Sequence, residues 1–424
     1  MARRKNFGAK AVAGMLEVSY RHLTMDRPPV LLAAGPVLLR PLGMAGIPAI
    51  VASTEDDAPA FASRYCAGRC ILPPRSEPSA LVDALIDAGE RLSSQFGRRV
   101  PLMYGEDYFL ELIYMHRERL QQKFLLLLCD PAVATGLLTK DRFDELARAR
   151  GIPVPRSLDW DMLSEIDGPV LAKPRSKCNW HHSPLQVRLF GRSKALAFEN
   201  GSAVMAQPFV ASFREQLVFQ EYIRGDDRQL WSFHGVSDER GKILASFLGR
   251  KLRASPPFTG ESSFIEMIEN EELAAFGRRL AERLPLKGPF KIDLKTDVES
   301  GQHFVLEVNA RFNLWHCLGA ANGLNLMEIA YDYVVAGKRP PPLSYRTDTR
   351  WLCLPLDWRA YRALSRQRQL TLVDWVSSIL FTRTVYNVFA WSDPAPLAMT
   401  FVRKVRKLFR LMDVWWRQWL STAS

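Results

Sequence analysis

Three oxygen-bearing side chains lie in two successive strand patterns of otherwise apolar residues, at positions 293, 307 and 309. Glu307 and Asn309 alternate with apolar residues, so they project on the same face of their strand, and Asp293 lies in the strand pattern before it. Carboxylate and amide oxygens are the ligands that Mg²⁺ prefers. The spacing therefore predicts a magnesium site formed by Asp293, Glu307 and Asn309. Two solvated strand faces are the alternative interpretation.

Positively charged side chains accompany these oxygens. Lys291 and Arg311 flank the predicted magnesium ligands, and Lys251 lies in the segment GRKLR, just before a loop at residues 255–260 that contains two prolines and ends in glycine. Cations in these places suit phosphate oxygens, over which such a loop can fold. Lys173 ends an apolar strand pattern and is a further candidate, although a surface lysine at a strand end is the alternative.

The segment FQEYIRGDDR, residues 219–228, places a strand end, a turn glycine and paired carboxylates in sequence. A strand end can offer its backbone groups to the edge of a planar ligand. Asp227, four residues after Ile223, can accept hydrogen bonds from vicinal hydroxyl groups. Taken alone, the segment could equally be the rim of a hairpin.

In this order, the clusters resemble the ATP-grasp superfamily over residues 30–336, through the D…E-x-N-x-R ending and the QEYIxGDD segment. The resemblance implies an N-terminal parallel α/β domain, a nucleotide-covering subdomain and a C-terminal subdomain, with ATP between the last two. It also implies roles for individual residues. Lys140 and Lys173 contact the nucleotide and its phosphates, Glu221 and Ile223 read the adenine, Gln220 is a further cofactor-binding residue, Asp227 binds ribose, Asp293, Glu307 and Asn309 hold Mg²⁺, and Arg311, Lys291 and Lys251 steady an acyl phosphate.

One segment departs from the family pattern. Where many relatives carry a glycine-rich phosphate loop after the second lysine, this chain reads RSKCNWHHS at residues 175–183, with no glycine. Backbone cradling of phosphate is therefore not expected there, and Lys177 or the histidines are the substitutes. Cys178 and His181 provide too few ligands at this spacing for a metal site.

The resemblance implies an ATP- and Mg²⁺-dependent ligase that joins a small carboxylate to an amine through an acyl phosphate. No protein nucleophile is needed for that reaction, and no GxSxG motif occurs. His316, five residues after Arg311, is either a substrate contact or a histidine packed beside Trp315. Two alternatives stay open for the function: a ligase acting on a lipid-linked or cell-envelope precursor, and an ATP-binding regulatory module without turnover.

The elements that must position these residues belong to an ordinary globular protein. The chain has 424 residues, 47% of them hydrophobic and 24% charged, which excludes disordered and fibrous classes and is typical of several domains. Six cysteines without CxxC pairs favour reduced thiols in the cytosol. The N-terminus lacks the apolar core of a signal peptide, and no apolar run is long enough to cross a membrane, so we expect a cytoplasmic protein.

Strand and helix patterns divide the chain into three parts. Residues 28–130 alternate apolar strands with helices and predict a parallel α/β domain. Residues 131–338 are richer in strands and predict an α+β ATP-grasp domain with mixed sheets. Residues 345–424 predict a basic, tryptophan-rich helical extension, reached through the RPPP linker at residues 339–342.

The tail is compositionally distinct. It carries 13 Lys or Arg against 5 Asp and seven of the eleven tryptophans. Apolar residues in 401–420 follow helical spacing, with basic residues on the other side, which is typical of a helix in a membrane interface. A helix docked on the protein's own surface is the alternative. We expect no nucleic-acid partner, because no recognised nucleic-acid module accompanies the charge, and the resemblance makes a homodimer reasonable.

Overall fold

The computed structural model describes residues 15–18, 27–175 and 193–422. The strands are β1 (Leu16–Val18), β2 (Val30–Ala33), β3 (Ala49–Ser53), β4 (Cys66–Ile71), β5 (Val100–Tyr104), β6 (Phe124–Leu125), β7 (Ser157–Leu158), β8 (Val170–Pro174), β9 (Leu196–Phe198), β10 (Leu217–Glu221), β11 (Leu230–Ser237), β12 (Ile243–Ser255), β13 (Glu261–Ile268), β14 (Gly288–Thr296), β15 (His303–Asn309), β16 (Thr349–Leu352) and β17 (Arg383–Tyr386). The helices are α1 (Pro36–Met44), α2 (Pro78–Phe96), α3 (Asp107–Met115), α4 (Arg117–Lys123), α5 (Pro131–Leu138), α6 (Lys140–Ala149), α7 (Gly201–Met205), α8 (Pro208–Ser212), α9 (Glu271–Arg283), α10 (His316–Ala321), α11 (Leu326–Ala336), α12 (Leu354–Arg366), α13 (Leu372–Leu380) and α14 (Ala395–Thr422).

The chain forms two compact units. The first contains the described residues up to Met103, His116–Leu125 and those from Val388 onward, and the second contains Tyr104–Met115 and Leu126–Asn387. This division differs from the predicted boundaries at residues 130 and 338. Two short helices, α3 and α4, follow one another around His116 and are assigned to different units.

The first unit is built on a six-stranded sheet in the order β1-β4-β3-β2-β5-β6. Strands β2, β3 and β4 are parallel, as are β5 and β6, and β1 adds an antiparallel edge that the sequence did not indicate. Val30, Leu31 and Leu32 in β2 are fully buried. A short apolar strand of this kind is typical of a parallel sheet with both faces covered, as predicted.

The second unit contains two sheets with separate hydrophobic cores. The smaller sheet has the order β7-β10-β8-β9 and is antiparallel. The larger has the order β15-β14-β11-β12-β13-β16-β17 and is antiparallel except for the β16–β17 pair. Phe233, Phe290 and Ile292 lie in the core of the larger sheet and are fully buried. This is the mixed-sheet α+β architecture that the sequence predicted.

Residues 345–424 do not form one separate extension, and that part of the prediction is wrong. Strand β16 pairs with β13, and β17 pairs with β16, so both belong to the larger sheet of the second unit. Trp351 and Leu352 in β16 are almost completely buried. The burial of these two side chains favours pairing with a distant strand over a free extension. Residues from Val388 onward, including α14, belong to the first unit.

Candidate active site

A polar cleft lies between the two sheets of the second unit. Its walls carry side chains from both sheets and from the loop after β12. The residues that line it are Lys140, Pro155, Leu171, Lys173, Lys194, Ala195, Glu221, Tyr222, Ile223, Leu230, Trp231, Lys251, Phe258, Thr259, Gly260, Ser262, Lys291, Asp293, Leu294, Lys295, Leu306 and Glu307. Eight of the twelve residues singled out from the sequence are therefore brought to one cleft; Gln220, Asp227, Asn309 and Arg311 do not line it.

Two carboxylates face each other at the floor of the cleft. Asp293 in β14 and Glu307 in β15 are directly opposed across the strand pair. A β-bulge follows this pair, because the next opposed residues are Leu294 and Val305, which leaves Leu306 as the extra residue. Asp293 also accepts a hydrogen bond from the Ser232 hydroxyl. The predicted convergence of Asp293 and Glu307 follows from this register.

Asn309 lies two residues beyond Glu307 and is opposed to Lys291. Its Oδ1 atom is buried and has no hydrogen-bond partner among the described residues. A buried acceptor without a partner costs free energy unless something binds it. Two carboxylates and this amide oxygen form an all-oxygen donor set, so the residues present fit Mg²⁺. The described residues contain no group of three or more His, Cys, Asp or Glu that could hold a metal.

Lys173 is fixed by a chain of buried polar groups. Its Nζ donates to Gln220 Oε1 at 2.8 Å, and Gln220 Nε2 donates to Asp144 Oδ2 at 3.2 Å. Burial lowers the pKa of the Lys173 ammonium to about 8, and the charges of Glu307 and Asp144 oppose that shift. Gln220 is 4% exposed, so it acts behind Lys173 and orients it.

Lys251 and Lys295 approach the cleft from the larger sheet. Burial lowers the pKa of each to about 8, and the nearby carboxylates, chiefly Asp293 for Lys251 and Asp227 for Lys295, oppose the shift. Lys295 Nζ donates to the Gly225 carbonyl at 2.8 Å. Lysines with a pKa of about 8 still carry a positive charge near neutral pH. Because they are already partly desolvated, they are suited to contact phosphate oxygens.

Lys291 is held between a carboxylate and an aromatic ring. Its Nζ lies 2.8 Å from Asp293 Oδ2 and 5.2 Å from the centre of the Trp315 ring. Trp315 stacks on His234, with ring centres 5.1 Å apart, and His234 stacks on Phe247 at 4.6 Å. This aromatic column limits the positions that Lys291 can adopt, because cation–π contact favours one side of the ring.

His316 is completely buried behind that column. Asn313 Nδ2 donates to His316 Nε2 at 3.1 Å, and burial, with the nearby charges of Lys291 and Arg311, lowers the pKa of His316 to about 3. Of the two interpretations of His316, the packed histidine agrees with this geometry.

The opposite end of the cleft is formed by Glu221, Tyr222 and Ile223. Glu221 Oε1 accepts the Arg156 backbone N–H at 2.8 Å, and Ile223 is 5% exposed. A strand end beside an apolar side chain is suited to the edge and face of a planar base. The three residues line the cleft together.

Asp227 lies behind the cleft instead of in it. Its two carboxylate oxygens accept the backbone N–H groups of Ala254 and Phe258, each at 2.9 Å. Burial raises its pKa, against the opposing effect of Lys251 and of these hydrogen bonds. Asp227 thereby fixes the loop after β12, whose residues Phe258 and Gly260 line the cleft, and its predicted ribose contact stays a prediction.

The glycine of that loop is required by its surroundings. A Cβ atom added to Gly260 would lie 2.1 Å from the carbonyl carbon of Ser255. The Thr259 carbonyl of the loop also accepts a hydrogen bond from the backbone N–H of Lys194 at 3.0 Å. The loop therefore closes tightly on itself while it presents Thr259 and Gly260 to the cleft, in agreement with the predicted cover over phosphates.

Arg311 is committed to another partner. Its Nε and Nη2 donate to the two carboxylate oxygens of Asp107 at 2.7 and 2.8 Å, and Nη1 donates to the Gly105 carbonyl at 3.2 Å. Burial alone would lower the pKa of Arg311, but the hydrogen bonds and charge of Asp107 outweigh it and raise the pKa. The predicted direct contact of Arg311 with an acyl phosphate is not what this arrangement favours.

Several residues in or beside the cleft were not predicted from the sequence. Lys295 continues the alternation of Lys291 and Asp293, so period 2 could have placed it on the same strand face. Lys194 and Ser232 carried no signal, since neither lies in a recognised motif. The glycine-free segment with Lys177, Cys178 and His181 lies outside the described residues.

Comparisons with known proteins agree with this geometry. No protein-family model matches the chain. It is similar to the D-aspartate ligase of Enterococcus faecium, with 21% identity over 293 residues that cover 66% of this chain and 69% of the relative. Among solved structures, it is similar to the biotin carboxylase domain of 2-oxoglutarate carboxylase from Hydrogenobacter thermophilus, a dimer with MgADP and bicarbonate (TM-score 0.56, 14% identity, 76% of this chain and 73% of that one). The chain has the ATP-grasp fold.

The L-amino acid ligase of Bacillus licheniformis has the same ATP-grasp architecture, with a TM-score of 0.52, 16% identity and coverage of 74% of this chain and 75% of that one. The resemblance inferred from the D…E-x-N-x-R and QEYIxGDD segments is thereby confirmed at the level of the fold.

Proposed function

We propose that this chain is an ATP- and Mg²⁺-dependent ligase that joins a carboxylate to an amine through an acyl phosphate. One observation carries the proposal: a single cleft brings six lysines from several elements together with Asp293, Glu307 and an apolar strand end. Cations of this number suit a triphosphate, and the strand end suits a base. The D-aspartate ligase relative supports the same reaction class.

Different residues of the cleft bind different parts of the nucleotide. Glu221, Tyr222 and Ile223 receive the adenine, and Lys173, held by Gln220, faces the phosphates. Lys140, at the first position of α6, lines the same region. We keep Lys140 and Lys173 as nucleotide contacts, as the resemblance implies, and give Gln220 a positioning role.

Asp293, Glu307 and Asn309 would hold Mg²⁺. When bound, the ion neutralises charge on the phosphate oxygens and aligns them. The chain's own contribution is a rigid donor set, because Asp293 is also held by Ser232 and Lys291.

The reaction needs no nucleophile from the protein. A carboxylate oxygen of the substrate attacks the γ-phosphorus of ATP, the bond to the bridging oxygen breaks, and ADP leaves. The amine, in its neutral form, then attacks the carbonyl carbon of the acyl phosphate. The C–N bond forms, the C–O bond to phosphate breaks, and the phosphate leaves with the proton that the nitrogen loses. Lys291 and Lys251 stabilise the charge that develops on the acyl phosphate and the tetrahedral intermediate. Arg311 acts through its contact with Asp107, as a positioning residue.

We propose an amino acid as one of the two substrates. The relative's name, D-aspartate ligase, makes an amino acid our first choice for one of the two substrates. We propose a small carboxylic acid and an amine as partners and, by analogy with the dimer of the Hydrogenobacter structure, a homodimer.

The decisive experiment is release of ADP and phosphate from MgATP by the purified chain, with pairs of D- and L-amino acids, aspartate included, and small carboxylic acids. Turnover that requires both partners and disappears in Glu307→Ala supports the ligase. Glu282→Ala, an exposed glutamate of α9, is the matched control and retains activity. A chain that fails to bind MgATP overturns the proposal, and tight binding without turnover favours the regulatory module.

A second candidate function is ligation of a lipid-linked or envelope precursor at the membrane surface. The exposed apolar residues of α14 favour it. No helix in the described part of the chain is long and apolar enough to span a bilayer. We propose a cytoplasmic location, in agreement with the thiol form of Cys66, Cys70, Cys129, Cys317 and Cys353.

A further inference from the structure

The segment before α14 is anchored in the first unit by one buried carboxylate. Asp393, 1% exposed, accepts the Ser63 hydroxyl at 2.7 Å and the Arg64 backbone N–H at 2.9 Å. Arg40 lies 3.9 Å from the same carboxylate and donates to the Val388 carbonyl. A buried charge with several partners fixes its segment, because each donor would lose its partner if the segment moved. The start of α14 is therefore fixed in place.

The helix itself is held by its polar side. Arg403 forms ion pairs with Glu55 at 2.8 Å and Asp57 at 3.1 Å, at the acidic segment after β3. At 100° per residue, Arg403 lies on the opposite side of the helix from Phe401, Leu408 and Met412. Contact through Arg403 thus directs the apolar side away from the first unit.

That apolar side is open to solvent. Phe401 is 68% exposed, Leu408 57%, Phe409 64% and Met412 55%. The sequence left two interpretations of this stripe open, a membrane interface and a face packed on the protein's own surface. The helix does dock on the first unit, but it packs through the side with Arg403, so this docking leaves these four side chains exposed. Exposed apolar residues in a continuous row mark an interaction surface.

The charges beside the stripe identify its partner. At 100° per residue, Lys404 borders the stripe beside Leu408 and Arg406 borders it beside Phe409, whereas Lys407 lies between Lys404 and Arg403; all three are exposed. From residue 395 to 422 the helix carries six Lys or Arg and one Asp. A second copy of the helix, packed face to face, would bring these like charges together. An anionic lipid surface instead attracts the basic borders and accepts the apolar row.

We propose that α14 docks on an anionic lipid bilayer, with Phe401, Leu408, Phe409 and Met412 inserted among the lipid chains and the basic borders at the headgroups. The Arg403 pairs with Glu55 and Asp57 keep the first unit on the aqueous side. The inference deepens the second candidate function by naming its surface and partner. The docking itself does not require ligase turnover, so the two can fail separately.

The test is co-flotation of the full chain with vesicles of phosphatidylcholine alone or with 30% phosphatidylglycerol, at about 0.05 and 0.5 M salt. We expect binding to the anionic vesicles that weakens at high salt. Lys404→Glu/Arg406→Glu is expected to lower the partition coefficient by roughly 30-fold or more, since each basic residue contributes about fivefold. Phe401→Ser/Phe409→Ser is expected to abolish flotation. The matched controls are Arg148→Glu in α6 and Val373→Ser in α13, exposed residues that leave flotation unchanged.

Each result decides the proposal. Absence of flotation with anionic vesicles overturns the docking, as does equal loss in the control variants. A concentration-dependent dimer that Phe401→Ser/Phe409→Ser dissociates, in a protein that does not float, identifies a second copy as the partner. Folding of every variant is checked by its thermal midpoint with MgADP. ADP release with soluble substrates, measured in parallel, reports on the ligase proposal independently.

Discussion

Arg311 and Asp107 form a bidentate ion pair in which both carboxylate oxygens accept guanidinium N–H groups at 2.7 and 2.8 Å. The two residues are 204 positions apart in the sequence. Arg311 follows the strand that carries Glu307 and Asn309, and Asp107 begins α3. The pair therefore ties the end of β15 to a helix start, where the carboxylate also interacts favourably with the helix dipole.

The first prediction concerns this pair. Asp107→Asn removes one charge and weakens both hydrogen bonds, so the chain after Asn309 loses its fixed position. We expect kcat/KM for ADP release to fall about 10- to 100-fold, by analogy with residues that orient metal ligands. Asp83→Asn breaks the exposed pair with Arg119 and is expected to leave activity unchanged. Wild-type kinetics in Asp107→Asn would show that the pair has no role in the site.

The second prediction concerns Asn309. Because its buried Oδ1 has no partner among the described residues, Asn309→Ala removes a ligand without breaking a visible hydrogen bond. We expect half-saturation by Mg²⁺ to shift upward by about tenfold or more at constant ATP, with little loss of thermal stability in the absence of nucleotide. Gln302→Ala, an exposed amide in the turn before β15, is the control. An unchanged Mg²⁺ dependence contradicts the proposed donor set.

The third prediction is a pH dependence. Lys173 and Lys251 have pKa values lowered to about 8, so both lose their charge as the pH rises through that value. We expect the KM for ATP to rise by about 10- to 100-fold between pH 7 and pH 9, since a charged hydrogen bond contributes about 1.5 to 3 kcal/mol. Lys173→Arg keeps its charge and flattens the profile, whereas the exposed Lys338→Arg does not change it.

The same two lysines make the nucleotide-free protein more stable as the pH rises, although ATP binding weakens. In the unfolded chain their pKa returns to about 10.4, so that state binds more protons between about pH 8 and pH 10.4. In the nucleotide-free protein, these groups therefore increase the free energy of unfolding as the pH rises through this window. A KM for ATP that stays constant from pH 7 to pH 9 would contradict the pKa values.

The sequence predicted the parts of the fold that short-range patterns determine. β8 contains the apolar strand pattern that Lys173 ends, and the residues that alternate in β14 and β15 include the opposed pair Asp293 and Glu307. Period 2 is a local property of a strand, so it survives folding unchanged.

What the sequence could not predict depends on partners far along the chain. The direction of the Asp227 carboxylate is set by two backbone N–H groups 27 and 31 residues away. β16 joins the larger sheet only because β13, some 85 residues earlier, offers a free edge to Trp351 and Leu352. The sequence shows which residues are charged at these positions. Whether such a side chain lines the cleft or supports it from outside depends on packing against distant parts of the chain.

The fourth prediction concerns a buried ion pair that holds α12 and α13 to the larger sheet. Arg253 in β12 donates to both oxygens of Asp357 at 2.9 and 2.8 Å, and Asp357 also accepts from Ser263 and Trp375, each at 2.8 Å. Asp357 is completely buried and Arg253 is 7% exposed. Asp357→Ala leaves the Arg253 charge and two further donors without a partner, so we expect a loss of about 3 to 5 kcal/mol in the free energy of unfolding.

Urea unfolding followed by tryptophan fluorescence measures that loss. Asp348→Ala, which removes a carboxylate that is 48% exposed and lies 3.3 Å from Arg383, is the matched control and is expected to cost less than about 1 kcal/mol. Arg253→Met/Asp357→Leu removes both charges and should recover most of the stability, because no uncompensated charge remains. If Asp357→Ala and Asp348→Ala lose equal stability, the buried pair does not hold these helices, and their apolar contacts alone attach them to the sheet.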